Sequence, residues 1–427
     1  MTVRAKRIYI PLFIVVLLAQ LYIPSFRLNI LLQIFTLIFL VVIDRVAFSK
    51  SYVKHLLPFI LLLILGFAGT FLHKYKIFNI IKDITHFIKP LTGFLIGYIL
   101  FRKINDFRVF AKTIVTASVL SAVIHLGIVA ILLKLNANTI HEIREFTRDN
   151  FLELFGLLFV FAYRRFYREP LFKSRIYYVV AIVLLFLSIS LYFSRTMIIA
   201  GIILAVSVLG FTKINSTSLK LIAFMFVATG LFYTYLYNTN IRRDAPGIEG
   251  FFYKVKIAPA EVFETNINRD NHADLWDHWR GYEAKRAFEL MKESPSSFIF
   301  GTGHGSLVNL RFFAPLTGDR KGIRYISELH NGYMYVFYKT GIIGLLIYLF
   351  VILRWYMYAY KFAEKNMIAL LISAIGAIFL FSTLTITGMY NNKDILIMLV
   401  GALLHFIHAQ KYKRNSETVA EPIKHTD

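Results

Sequence analysis

The sequence predicts an all-α, polytopic membrane protein of about twelve transmembrane helices, and three observations carry that prediction. The 427-residue chain is 57% hydrophobic, above the roughly 45–50% of soluble globular domains, with a mean hydropathy of +0.60. The excess lies in long continuous runs, not in a period of 2 or 3.6. Most runs approach the roughly 20 residues that a helix needs to cross a bilayer core about 30 Å thick.

Taken in order, the runs fall near 8–25, 28–48, 56–73, 86–101, 109–133, 150–163, 176–193, 196–212, 219–238, 341–360, 366–387 and 394–409. The fourth and sixth are the shortest. The first opens on a basic segment, Arg4, Lys6 and Arg7. Pro24, Ser25, Phe26 and Arg27 follow it where a secretory signal would carry a small-residue cleavage site, so the expectation is a retained span. With no cysteine in the chain, a disulfide framework and a thiolate metal site are excluded.

Basic residues set the orientation. With the N-terminus in the cytoplasm, cytoplasmic connections hold 24 Lys and Arg, and the short outer connections hold 10. This asymmetry favours both termini inside. It divides the chain into spans one to nine (1–238), a large extracytoplasmic loop (239–340), spans ten to twelve (341–410) and a polar tail (411–427) expected to be disordered and cytoplasmic. The net charge of +23 then reflects lysines and arginines that meet anionic lipid and does not call for nucleic acid. The 14 basic residues of the loop, from Arg242 to Lys339, are not explained this way. They read either as a solvated surface or as the mark of an anionic partner: a diphosphate, lipid headgroups or an acidic glycan.

Within the loop, Trp276, Trp279, Ala284, Ala287, Phe288 and Met291 recur near helical spacing, which predicts an amphipathic helix from Trp276 to Lys292, ended by Ser294-Pro295. Gly301-Thr302-Gly303-His304-Gly305-Ser306 follows. It lacks the Gly-Lys-Ser/Thr end of a nucleotide-binding P-loop. It reads as a tight turn, or as backbone N–H groups approaching an anion. His272, Asp274, Asp277 and His278 have spacings that permit a shared helical face, but they read as a polar helix start, and no metal or other cofactor is expected.

Two constellations carry chemistry. From Ile176 to Thr212 the only charge is Arg195. A single helix of that length would extend about 55 Å, so the chain must turn near Ser194-Arg195. That puts a guanidinium at the outer membrane boundary, either snorkelling or clamping phosphate oxygens bidentately. The second is His330-Asn331, nine residues, then Gly341-Ile342-Ile343-Gly344. Histidine is the side chain best suited to accept a proton near neutral pH. Glycines at this spacing let a helix bend or pack closely as it enters the bilayer.

His-Asn, nine residues, Gly-x-x-Gly resembles the signature of the O-antigen ligase and O-antigen polymerase superfamily of bacterial surface polysaccharide assembly. Ser194-Arg195 resembles that family's arginine before its eighth helix. Trp279-Arg280 through Gly301-Thr302-Gly303 is similar to its arginine-bearing helix and glycine turn. Lys339 departs from the pattern, since the family often has an acidic residue two before the first glycine. The resemblance implies a helical glycosyltransferase (GT-C-like) fold in the bacterial inner membrane. It implies an inverting, metal-independent transfer of a glycan from undecaprenyl diphosphate to a hydroxyl of a glycan or lipid A core acceptor at the periplasmic face. Carried over residue by residue, Arg195 and Arg280 would hold the diphosphate, with Arg286 a rival for that role. His330 would take the acceptor proton or orient the diphosphate, and Asn331 and Gly303 would contact substrate. A polysaccharide transporter or flippase is the alternative. It calls for ionisable residues deep in several spans, and His125, Glu153 and His405 are the main ones.

Overall fold

The computed structural model describes residues 3–44, 50–134, 149–243, 245, 247–264, 266–268, 270–316, 322–362 and 366–420. Each of the twelve apolar runs coincides with a helix: α1 (Val3–Tyr22), α2 (Phe26–Asp44), α3 (Lys50–Leu72), α4 (Ile77–Ile104), α5 (Phe107–Lys134), α6 (Phe151–Tyr167), α7 (Arg175–Leu191), α8 (Arg195–Val208), α9 (Ser216–Asn238), and, beyond the loop, α14 (Gly332–Tyr356), α15 (Met367–Thr385) and α16 (Leu396–Ala420). Seven helical segments among the described residues are long and apolar enough to cross a membrane, and four more are shorter and apolar. The end of the second expected span, 45–48, lies outside the described residues.

Three boundaries differ from expectation. The fourth run is not short: α4 begins at Ile77 and has 28 residues. Lys82 and Asp83 interrupt its hydropathy, yet Lys82 pairs with Glu328 and Asp83 pairs with Lys339, so the charges are compensated and the helix continues past them. α14 likewise starts nine residues before its apolar run. The backbone of α16 is helical through Ala420, where a disordered tail is expected, and 421–427 lie outside the described residues.

The bundle packs through small residues and aromatics. α16 lies along α4 so closely that a Cβ on Gly97 would sit 1.9 Å from the Met398 carbonyl oxygen, and one on Gly401 2.1 Å from that of Phe94, the close backbone approach that glycine permits between membrane helices. By contrast α9 keeps only Ser218 and Leu236 buried.

Where one loop helix is expected, four are present among the described residues: α10 (Gly247–Phe263), α11 (His272–Asp277), α12 (Trp279–Lys292) and the single turn α13 (Ser297–Phe300). The expected Trp276–Lys292 helix is real from Trp279 onward and breaks at His278, whose backbone is not helical. The loop also holds a small antiparallel sheet, an addition to the all-α class: β1 (Val308–Ala314) pairs with β2 (Ile323–Ile326). In β1, Val308, Leu310 and Ala314 are buried, the period-two signature of a strand with one covered face. The register slips between Asn309 and Ala314, where Arg311 takes a positive φ of 64°, the mark of a bulge.

Candidate active site

The turn expected at Ser194-Arg195 is present. α7 and α8 have 17 and 14 residues, about 25 and 21 Å at 1.5 Å per residue. Both are shorter than an apolar core about 30 Å thick. Ser194 caps α8 by accepting the Met197 N–H at 3.2 Å, and its hydroxyl donates to Asp149. A buried polar network holds this corner from below. Glu153 accepts from Ser121 (2.9 Å), Asn150 (3.0 Å) and Tyr192 (3.2 Å), which ties α5, α6 and the end of α7 together. Arg195 is thereby fixed as the first residue of α8, where the positive end of the helix dipole adds to its own charge.

Arg195 and Arg280, 85 positions apart in sequence, meet on one carboxylate. Arg195 Nη2 donates to Glu261 Oε2 at 2.9 Å and Nη1 to the Lys254 carbonyl. Arg280 Nη1 donates to Glu261 Oε1. The two guanidiniums are 21% and 20% exposed, so they stand at the wall of a cavity and not on open surface. That cavity, about 820 Å³, is lined by Arg195, Arg280, Lys254, Arg243, Glu261 and Trp276 among others. Glu261 lies on α10, a helix with no fully buried residue, and nothing in the sequence pattern singles it out.

His330 is held by a second carboxylate, Glu283. Its Nδ1 lies 3.0 and 3.2 Å from the two carboxylate oxygens of Glu283, and its backbone N–H donates to Glu283 Oε2 at 2.9 Å. Glu283 is 1% exposed and the imidazole 52%. The charge of Glu283 is the largest influence on His330 and holds its pKa above the ordinary value, against an opposing effect of burial. Arg280 and Glu261 are near enough that their charges also act on this imidazole.

The other expected contacts are used elsewhere. Arg286 is buried, donating from Nε to the Asn309 carbonyl at 3.1 Å and pairing with Glu289. Six residues after Arg280, it points about 120° away around α12, toward β1 and not the cavity. Asn331 caps α14, accepting the Met334 N–H at 3.1 Å. Gly303 sits in a buried turn at φ +87°, where a Cβ would lie 2.1 Å from the Thr70 nitrogen. Of the two readings of residues 301–306, the tight turn fits. Thr302 and Gly303 donate backbone N–H groups to the Tyr338 and Lys339 carbonyls, and His304 donates to that of Gly66. Among the described residues, the Gly305 N–H donates to the Asp83 carboxylate at 2.6 Å. α14 bends where the glycine pair begins, with Gly341 at φ +66°, where a Cβ would lie 2.2 Å from the Ile299 carbonyl oxygen.

The expected polar helix start at 272–278 offers no convergent donor set. Asp277 faces Arg243 and Tyr253, at 3.0 and 2.8 Å, while His278 pairs with Asp274 at 2.8 Å. Among the described residues no group of three or more His, Asp or Glu is placed to hold a metal ion.

A multi-pass helical membrane protein whose single large loop closes a cation-lined cavity over a short membrane helix defines the class. Residues 180–349 match the family model described as O-antigen ligase. This matched stretch contains Arg195, Arg280, His330 and the Gly341–Gly344 pair. No curated protein and no solved structure matches the chain.

Proposed function

We propose that the protein transfers an oligo- or polysaccharide from undecaprenyl diphosphate to an acceptor hydroxyl, on another glycan or on a lipid A core, at the periplasmic face of the bacterial inner membrane. In this reading all twelve helices span, both termini are cytoplasmic, 239–340 is the periplasmic loop, and the architecture is GT-C-like. The observation that carries it is the convergence of Arg195 and Arg280 on the two oxygens of Glu261, with the charges of Arg280 and Glu261 also acting on His330. A carboxylate held between two guanidiniums occupies the kind of place a diphosphate would take.

The chemistry follows. The acceptor oxygen attacks the anomeric carbon from the face opposite the diphosphate. The carbon–oxygen bond to phosphate breaks with inversion, and its electron pair leaves on the diphosphate. Arg195 and Arg280 neutralise that growing charge, the task for which fixed cations at a dry site are effective. His330 takes the acceptor proton. No divalent metal is needed, because the two guanidiniums supply the positive charge.

His330→Ala is expected to abolish transfer, by at least about 10²-fold, while the protein still inserts and purifies. The assay is glycan transfer from a lipid-linked donor by purified protein, and full activity in this variant would remove His330 from the chemistry. The wild-type protein is expected to keep its rate in EDTA. Loss of activity on chelation, restored by a divalent ion, would overturn the metal-free mechanism.

A further inference from the structure

We infer that Glu283 is the positioning residue of His330, and that α12 carries it in fixed register with Arg280 so that one helix aligns the proton acceptor with the diphosphate clamp. The inference rests on the transfer reading above and deepens it.

Glu283 is a carboxylate at 1% exposure. Burying such a group is costly unless its lone pairs are used. Among the described residues all of its hydrogen bonds come from one partner, His330: the backbone N–H to Oε2 at 2.9 Å, and Nδ1 at 3.0 Å to Oε2 and 3.2 Å to Oε1. A carboxylate facing Nδ1 fixes the neutral imidazole with its proton on Nδ1 and its lone pair on Nε2. That is the form able to accept a proton, and the imidazole is half exposed. A simple salt link would leave the ring free to rotate. Here the backbone contact pins His330 at the same time, so both ends of the residue refer to one carboxylate.

Arg280 and Glu283 are three residues apart on α12, hence neighbours on one helical face. Arg280 contacts Glu261 and Glu283 contacts His330. A displacement of α12 therefore moves clamp and acceptor together. The charged groups that act on His330 are Glu283, Arg280 and Glu261. Glu283 and Glu261 favour the protonated ring, while Arg280 and burial oppose it, and the net effect is upward. The acidic limb of the pH–rate profile, where His330 must lose its proton to act, therefore stands higher than for a free histidine.

Glu283→Gln keeps the shape and an acceptor oxygen for the backbone N–H but removes the charge. It is expected to lower kcat roughly 10²-fold, to leave the KM for the lipid-linked donor within about threefold, and to move the acidic limb to lower pH. Glu283→Asp keeps the charge on a shorter arm; it should retain more activity than the Gln variant and leave the limb in place. A purely structural anchor predicts a different result: loss of folded protein in proportion to loss of rate, with the limb unmoved. Wild-type kcat and an unshifted limb in Glu283→Gln would overturn the inference. If that variant does not fold, Glu283→Asp decides: a lowered kcat at unchanged KM upholds positioning, and wild-type kcat refutes it. Absence of transfer in the wild-type protein would instead sink the transfer reading, so the two failures are distinguishable.

Discussion

Arg195→Ala is expected to lower kcat for glycan transfer by about 10²–10³-fold, the cost of removing one preformed donor aimed at developing charge, roughly 2.7–4 kcal/mol. The fold should survive the change. Glu261 keeps its pairing with Arg280, and Ser194, not Arg195, caps α8. Arg195→Lys should recover only part of the rate, because a point charge cannot reproduce the planar fork that grips two phosphate oxygens. Combining Arg195→Ala with Arg280→Ala should cost less than the product of the single effects, since both side chains serve one diphosphate. Steady-state transfer with a lipid-linked donor, scored by release of undecaprenyl diphosphate, measures all three. Near wild-type kcat in Arg195→Ala would move the diphosphate away from this corner.

The candidate site is legible in the sequence where it interrupts an apolar pattern and illegible where it depends on tertiary pairing. Arg195 stands out because a run too long for one span holds a single charge, and the turn it demands is present between Leu191 and Arg195. His330 is marked by the glycines eleven and fourteen positions later. Glu261 and Glu283 carry no such mark. They are ordinary acids in a polar loop, and only folding brings Glu261 to an arginine 66 positions earlier and Glu283 to a histidine 47 positions later. The choice between Arg280 and Arg286 was open by residue type, although helical phase already separates them: Arg280 shares a face with Glu283, and Arg286 turns to β1. The true length of α4 was hidden for a related reason. Hydropathy counts Asp83 as a charge in lipid, while the fold gives it a counter-ion 256 residues away.

That counter-ion is the basis of the largest expected effect on stability. Lys339 Nζ meets Asp83 Oδ2 at 2.5 Å, the Ser306 carbonyl at 2.6 Å and the Ser306 hydroxyl at 3.2 Å, and both charged side chains are 0% exposed. Lys339, two residues before Gly341, draws its carboxylate partner from α4. The pair ties three elements at one point: α4, the 301–306 turn and the first half of α14, which begins two residues after His330. Lys339→Met leaves Asp83 with only the Gly305 N–H, a buried charge without a counter-ion, and should cost about 3–5 kcal/mol. Asp83→Asn combined with Lys339→Met removes both charges and should recover most of that loss, because replacing a whole buried pair is far cheaper than breaking it. Thermal unfolding of the detergent-solubilised protein measures the difference. Transfer activity should follow stability in the single variant and return in the double, since the pair holds the frame of His330 and does not touch the reacting groups. A double variant as unstable as the single one would mean that the contacts of Lys339 with Ser306, and not its pairing with Asp83, hold the turn to α14.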